Sequence, residues 1–313
     1  MPTIKTEQSI HAEQGVDDEQ IGIIGYGEVG RSMARSFAAT GIGVVAFDLR
    51  WPPGSDDDGV VKAASVGEVA AACRVIWVCT PAAAIEVVAQ QLAGHIGPDQ
   101  FVVDLASAHA DSKIRAMRSL GEASDAYLDI ALSAPPLDDG IAARMYVSGP
   151  RAHELVAWGD ARGMDLRFLG NRVGQATQLK ILRAPLTKGL EAILLEALTT
   201  SMRYGVDPET LVRTVESAFD DRPFFRFCEY LIATGVVHDD RRAIEIGEAA
   251  TMAEHAGVTA DMARAAERVL LRSASLHNSE DEETFLGSLR AYARHVQDVT
   301  PPADSDLAVG PLA

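Results

Sequence analysis

From Ile21 onward, short β-branched apolar runs alternate with stretches whose apolar residues recur at helical spacing. Strand-like runs fall at 21–25, 43–48, 75–79, 101–105, 127–130 and 145–148. Amphipathic helices are expected between several of them. Val29, Met33 and Phe37 recur at i, i+4 and i+8, and Gly41 stands where that helix should stop. Thr80-Pro81 offers an N-cap hydroxyl followed by proline at a first helical position. Such alternation predicts an α/β fold with a doubly wound, mostly parallel sheet covered on both faces.

Near Asn171 the pattern changes, and almost every periodic segment to Val296 is helical. Leu179, Leu182, Leu186, Leu190, Ile193 and Ala197 form one apolar seam. Asp207-Pro208 reads as the cap and first turn of a helix running through Val215. The expected organisation is a disordered tail at 1–19, an α/β domain at 20–172, an all-α domain at 173–298 and a second disordered tail at 299–313.

The strongest motif is Gly25-Tyr26-Gly27-Glu28-Val29-Gly30. A lone GxGxxG says little, but this one follows a predicted strand and opens a predicted helix. In that context Gly25 permits the tight turn, Gly27 admits a pyrophosphate to the backbone, and Gly30 lets helix and strand pack closely. The helix N-terminus supplies free N–H groups and the positive dipole end. The first domain is therefore expected to be a dinucleotide-binding Rossmann domain. Asp48 closes the second strand 18 residues past Gly30, close to the spacing of the carboxylate that receives an adenosine ribose. It favours NAD, while Arg50 two residues on keeps NADP open. Ligands in open α/β sheets bind at carboxyl ends of strands. Cys79-Thr80-Pro81, Asp104 to Ser107 and Asp129 to Ser133 lie at such ends, and as a set would line a crevice beside the nicotinamide.

Composition narrows the classes. The chain has 313 residues, 47% hydrophobic and 23% charged, enough for a core shared between two domains. Lys and Arg number 28 against 45 Asp and Glu, a formal net charge of −17. That field disfavours nucleic acid and anionic membranes, and an anionic substrate must meet a local positive site. Cys73, Cys79 and Cys228 form no CxxC pair, so neither a disulfide framework nor a metal site is expected; Cys73 and Cys79 read as small buried apolar residues. Asp56 to Asp58 reads as a solvated loop, and His95 and His109 lack partners at ligand spacing. No apolar run is long enough to span a bilayer, and residues 1–20 lack an apolar signal core, so a cytoplasmic location is the default expectation.

The chain resembles the β-hydroxyacid dehydrogenases, the group that includes 3-hydroxyisobutyrate and 6-phosphogluconate dehydrogenases, in a branch with its own helical C-terminal domain. The resemblance runs from Ile21 to about Lys188, with weaker support to Val296. It is carried by the Gly25–Gly30 fingerprint, the Thr80-Pro81 turn, the exits at 104–107 and 129–133, and Gly174-Gln175-Ala176-Thr177-Gln178-Leu179-Lys180. It implies Lys180 as general acid/base, Ser107 and Ser133 on substrate, and Cys79, Thr80 and Pro81 along the cofactor. A lysine serves at neutral pH only if burial or a nearby cation lowers its pKa from about 10.4, and oxidised nicotinamide is such a cation.

Two departures concern the substrate. Ala184, followed by Pro185, stands where the family has asparagine, so Thr187 or Lys188 would supply the missing polar contact. Ala134-Pro135 replaces a glycine pair whose N–H groups cradle a carboxylate. Three readings follow: a dehydrogenase or reductase of a small hydroxy or oxo acid, an imine reductase on the same fold, and a dinucleotide-binding module without turnover. The resemblance also implies a homodimer through the helical domain, with Leu190 and Leu194 as contacts. Phe224, Phe225 and Phe227 read as core packing, with Arg222 and Arg226 as surface charge, in preference to a place in the cleft.

Overall fold

The computed structural model describes residues 17–51, 59–133, 140–216 and 223–275, together with 284, 285, 287–289 and 292. The Asp56–Asp58 run, Ala134-Pro135, Arg222 and the segment 299–313 lie outside them. The chain divides into two compact units, residues 1–182 and 183–313.

The first unit is built on one sheet. Its elements in order are β1 (Asp17–Ile24), α1 (Glu28–Ala39), β2 (Gly43–Phe47), β3 (Val61–Lys62), α2 (Val66–Ala72), β4 (Cys73–Val78), α3 (Ile85–Leu92), β5 (Phe101–Asp104), α4 (Ala110–Ser119), β6 (Tyr127–Leu132), β7 (Met145–Ser148), α5 (Ala152–Asp160) and β8 (Leu166–Gly170). The strand order is β3-β2-β1-β4-β5-β6-β7-β8. All pairings are parallel except β6 with β7. The order reverses between β1 and β4, and that switch point is where an open α/β sheet leaves a crevice at its carboxyl edge.

The strands are nearly continuous apolar runs because both faces are covered. On one face Met33 and Phe37 of α1 and Leu155 of α5 pack over Ile21, Ile23, Trp77 and Val103. On the other, Val69 of α2, Val88 and Leu92 of α3 and Ala116 of α4 pack over Ile24, Ile76 and Val102. The predicted Val29, Met33, Phe37 stripe is the buried face of α1, and Gly41 takes a left-handed φ of 83° just after the helix ends. Phe37 meets Trp77 with ring centroids 5.7 Å apart.

Several boundaries differ from the pattern. Asp17 to Glu19, expected in a tail, belong to β1, which continues beside Cys73 across a register shift. Backbone pairing sets that start, which side-chain hydropathy does not reveal. β3 and β8, outside the predicted strand runs, are the two edge strands of the sheet and have exposed positions. α2 was legible in a different code: Ser65 Oγ accepts from Glu68 N at 3.1 Å, and Glu68 Oε2 accepts from Ala64 N at 2.7 Å. This is the S-x-x-E pattern of a helix start.

Helix α6 (Gln175–Arg203) runs across the division of the two units, with Pro185 inside it. The second unit continues with α7 (Pro208–Glu216), α8 (Phe224–Ala233), α9 (Gly235–His255) and α10 (Asp261–Ala274). As expected, Asp207 caps α7, accepting from Thr210 N at 2.8 Å. Small residues Ala250, Ala253, Ala260 and Ala263 let α9 and α10 approach closely. Glu196 of α6 accepts from Met262 N and Ala263 N at 2.9 and 3.0 Å, capping α10. Phe224 and Phe225 are not core: they are 62% and 58% exposed, largely uncovered by the described residues.

Candidate functional site

The glycine motif forms a turn whose geometry leaves little choice of residue. Gly25 has φ +95°, and a Cβ there would lie 2.8 Å from the Cys79 carbonyl. A Cβ on Gly30 would lie 2.0 Å from Gly25 O. At Gly27, the residue that opens α1, a Cβ would meet nothing within 4 Å. Gly25 and Gly30 thus serve the fold, and Gly27 leaves open space at a helix N-terminus.

That space belongs to a cavity of about 490 Å³ bordered by Gly25, Gly27, Glu28, Val29, Asp48, Cys79, Thr80 and Pro81. Ile24, Phe47, Leu49, Ala84, Val87, Val88 and Gln91 complete its wall and were not singled out in the sequence. They come from strand ends and from α3, whose register across the crevice only the fold supplies. Tyr26, Gly30 and Arg50 do not border it. Tyr26 is buried, its ring 4.9 Å from that of Trp51, so only its backbone faces the turn. Asp48 accepts from Tyr26 N at 2.5 Å and Arg50 N at 2.7 Å, tying the glycine turn to the end of β2.

Thr80 does not cap a helix. Its hydroxyl is buried without a hydrogen-bond partner among the described residues, and a 3₁₀ turn at Ala82–Ala84 precedes α3. Pro81 sets that turn, with Ala84 N donating to Pro81 O at 2.9 Å. Buried hydroxyls are normally paired, so an orphan on a cavity wall fits a site shaped for a polar ligand. Burial and the nearby Asp104 carboxylate push the Cys79 thiol up to about 12, which disfavours its thiolate.

Farther along the carboxyl edge, Ser107 and Ser133 follow the ends of the neighbouring parallel strands β5 and β6. Ser107 is exposed, and Lys180 Nζ donates to its Oγ at 2.7 Å. Ser133 is half-buried, its N–H on Arg144 O at 3.0 Å. His109 is exposed and caps α4, its Nδ1 accepting from Asp111 N at 3.4 Å. Thr187 and Lys188 lie later on α6 and are exposed. Thr187 Oγ1 donates back to its own helix, and Lys188 pairs with Glu191 at 3.2 Å.

Asp104 and Asp129 were expected to face the crevice and do not. Both are fully buried, joined by a fully buried Lys113 from α4. Lys113 Nζ lies 3.0 Å from Asp104 Oδ1 and 3.4 Å from Asp129 Oδ1. Tyr127 donates its hydroxyl hydrogen to Asp104 Oδ2. Burial raises the Asp104 carboxyl against the lowering effect of Lys113, and burial with the Asp104 charge holds the Tyr127 hydroxyl well above its usual range. The sequence did carry a signal for this network. Ala110, Lys113 and Ala116 share a helix face, so the lysine interrupts a buried stripe.

Comparison with known proteins supplies the class. The model of the NAD binding domain of 6-phosphogluconate dehydrogenase matches residues 20–136, and a domain of unknown function, DUF1932, matches residues 202–272. An uncharacterized 28.5 kDa protein of Methanothermus fervidus is 32% identical over 105 residues, 34% of this chain. The chain spans 41% of that relative's length. The NAD(+)-dependent, decarboxylating 6-phosphogluconate dehydrogenase of Haloferax volcanii is 28% identical over 211 residues, covering 62% of this chain and 68% of that one. An imine reductase from Bacillus cereus shares the fold with a TM-score of 0.67 at 16% identity, covering 88% of this chain and 99% of that one. A reductive aminase from Aspergillus terreus, solved in complex with NADPH and ethyl levulinate, has a TM-score of 0.63 at 18% identity, covering 83% and 94%.

Fold, glycine turn and domain match together mark residues 20–136 as similar to the NAD binding domain of a dehydrogenase. In its matched regions the chain is similar to the 6-phosphogluconate dehydrogenases of the β-hydroxyacid dehydrogenase group. Among the described residues no helix is long and apolar enough to cross a membrane.

Proposed function

We propose that this protein transfers a hydride between a nicotinamide dinucleotide and a small hydroxy or oxo acid, with Lys180 as the general acid/base. The observation that carries the reading is the 2.7 Å contact of Lys180 Nζ with Ser107 Oγ, a side chain at the same sheet edge as the glycine cavity. Residues bordering the cavity, Gly25, Gly27, Glu28, Val29, Cys79, Thr80 and Pro81, would hold the dinucleotide, with pyrophosphate at the N–H groups opening α1. Asp48 has the position for the adenosine ribose, which favours NAD; a 2′-phosphate would face its charge, and Arg50 would have to turn inward to receive one. When bound, the cofactor supplies or accepts the hydride. Lys180 gives or takes the hydroxyl proton, while Ser107 and Ser133 orient the oxygen-bearing carbon.

A second reading, reduction of an imine, rests on the departures at Ala184 and Ala134-Pro135 and on the fold shared with imine reductases. In either case the protein acts as a homodimer through its helical unit. Leu182, Leu186 and Leu190 of α6 support this, being 70%, 70% and 54% exposed in the single chain.

The test is Lys180→Ala, assayed for NADH and NADPH oxidation with 2-oxo acids and with cyclic imines. Loss of turnover by about a hundredfold or more, with cofactor affinity retained, is the expected result. The preferred acceptor separates the two chemistries. Cofactor binding by the unaltered protein with no turnover on either panel would favour the binding-module reading.

A further inference from the structure

Lys113 does not border the glycine cavity and stands apart from Lys180 in sequence, yet it lies where the supports of both members of the Lys180–Ser107 pair meet. One support runs through Asp104. Its Oδ1 accepts from Ala106 N at 2.8 Å, fixing the residue just before Ser107, and Lys113 Nζ bonds Asp104 Oδ1 at 3.0 Å and Asp104 O at 3.1 Å. The other runs through Asp129, which accepts from Thr177 N at 2.9 Å and Thr177 Oγ1 at 2.8 Å. Ser148 Oγ accepts from Ala176 N at 2.9 Å and donates to Asp129 Oδ2 at 3.4 Å. These bonds hold the first turn of α6, and Lys180 lies one turn on, four residues from Ala176 and three from Thr177.

We infer that Lys113 is a positioning residue for the Lys180–Ser107 pair, one ammonium joining the carboxylate that fixes the Ser107 loop to the carboxylate that fixes the start of α6. Three contacts use the three donors of its amine. Each carboxylate is fully buried and spends its other lone pairs on backbone or hydroxyl donors, so neither arm has a second counter-charge among these contacts. Raising of the Asp104 carboxyl by burial marks how far the cluster lies from solvent. The importance of the pair rests on the reading given under Proposed function; its geometry does not.

The experiment uses the full chain and needs no substrate. Trace acetylation with acetic anhydride at about pH 8, read by mass spectrometry as the ratio of Lys180 to the exposed Lys188, reports how firmly Lys180 is held. Ser107→Ala sets the scale, raising the ratio about threefold to tenfold for one lost hydrogen bond. Lys113→Met combined with Asp104→Asn removes one charge of each sign. It is expected to raise the ratio by a similar factor, while circular dichroism stays native and NADH affinity, governed by the glycine turn, is unchanged. A wild-type ratio in that folded double variant would overturn the inference. Should the double variant not fold, Asp129→Asn decides on the same ratio, since it keeps an acceptor for Thr177 N and removes the charge facing Lys113. Absence of NADH and NADPH binding by the wild type would instead remove the oxidoreductase reading and leave the Lys180 ratio to decide the positioning role.

Discussion

A Cβ on Gly30 would come within 2.0 Å of the carbonyl oxygen of Gly25, so helix α1 packs on the turn at a distance only hydrogen allows. Gly27, between them, has nothing within 4 Å of the same position. The two substitutions therefore separate folding from binding. Gly30→Ala should lower stability by roughly 1–3 kcal/mol through overpacking, seen as a fall in Tm of several degrees. Gly27→Ala should leave Tm nearly unchanged and weaken NADH binding at least about tenfold, because the methyl occupies space that a pyrophosphate needs. Equal losses of Tm in both variants would contradict this division.

Cys79 lines the cavity, but its thiol is pushed up to about 12 by burial and by Asp104. A raised thiol pKa disfavours the thiolate, so at pH 8 only about one part in ten thousand is ionised, against roughly a quarter for a free cysteine. With Cys73 and Cys228 replaced by serine, native Cys79 should react with iodoacetamide about a thousandfold more slowly than in urea. Comparable rates would mean an activated thiol, and with it a different chemistry at the cavity.

The apolar seam of α6 is the basis of the dimer proposal. Leu190 and Leu194 are 54% and 39% exposed in the isolated chain. Replacing both with aspartate should convert a dimeric sedimentation coefficient to a monomeric one. An unchanged coefficient would place any self-association elsewhere.

Much of the architecture was legible from periodicity because the parallel strands are buried on both faces and read as apolar runs. The glycine motif was legible because its spacing answers to backbone geometry, which sequence records directly. The polar residues of the strand exits were less readable. Asp104 and Asp129 look like ligand groups in sequence, and folding turns them inward onto Lys113. Thr80 looks like a helix cap, and a 3₁₀ turn at Ala82–Ala84 sets the helix start back to Ile85. What decides these cases is the register of neighbouring elements, which composition and spacing do not encode. Asp48 shows the same effect more mildly: its position is set by sequence, but its bonds to Tyr26 N and Arg50 N appear only in the fold.

Binding of NADH and of NADPH, titrated by fluorescence against the unaltered protein and against Asp48→Asn, tests the central claim most directly. The variant keeps an acceptor for Tyr26 N while removing the charge. NADH is expected to bind the unaltered protein more tightly than NADPH does, and the difference to shrink when Asp48 loses its charge. Binding of neither nucleotide would contradict the dinucleotide site, and with it the oxidoreductase assignment.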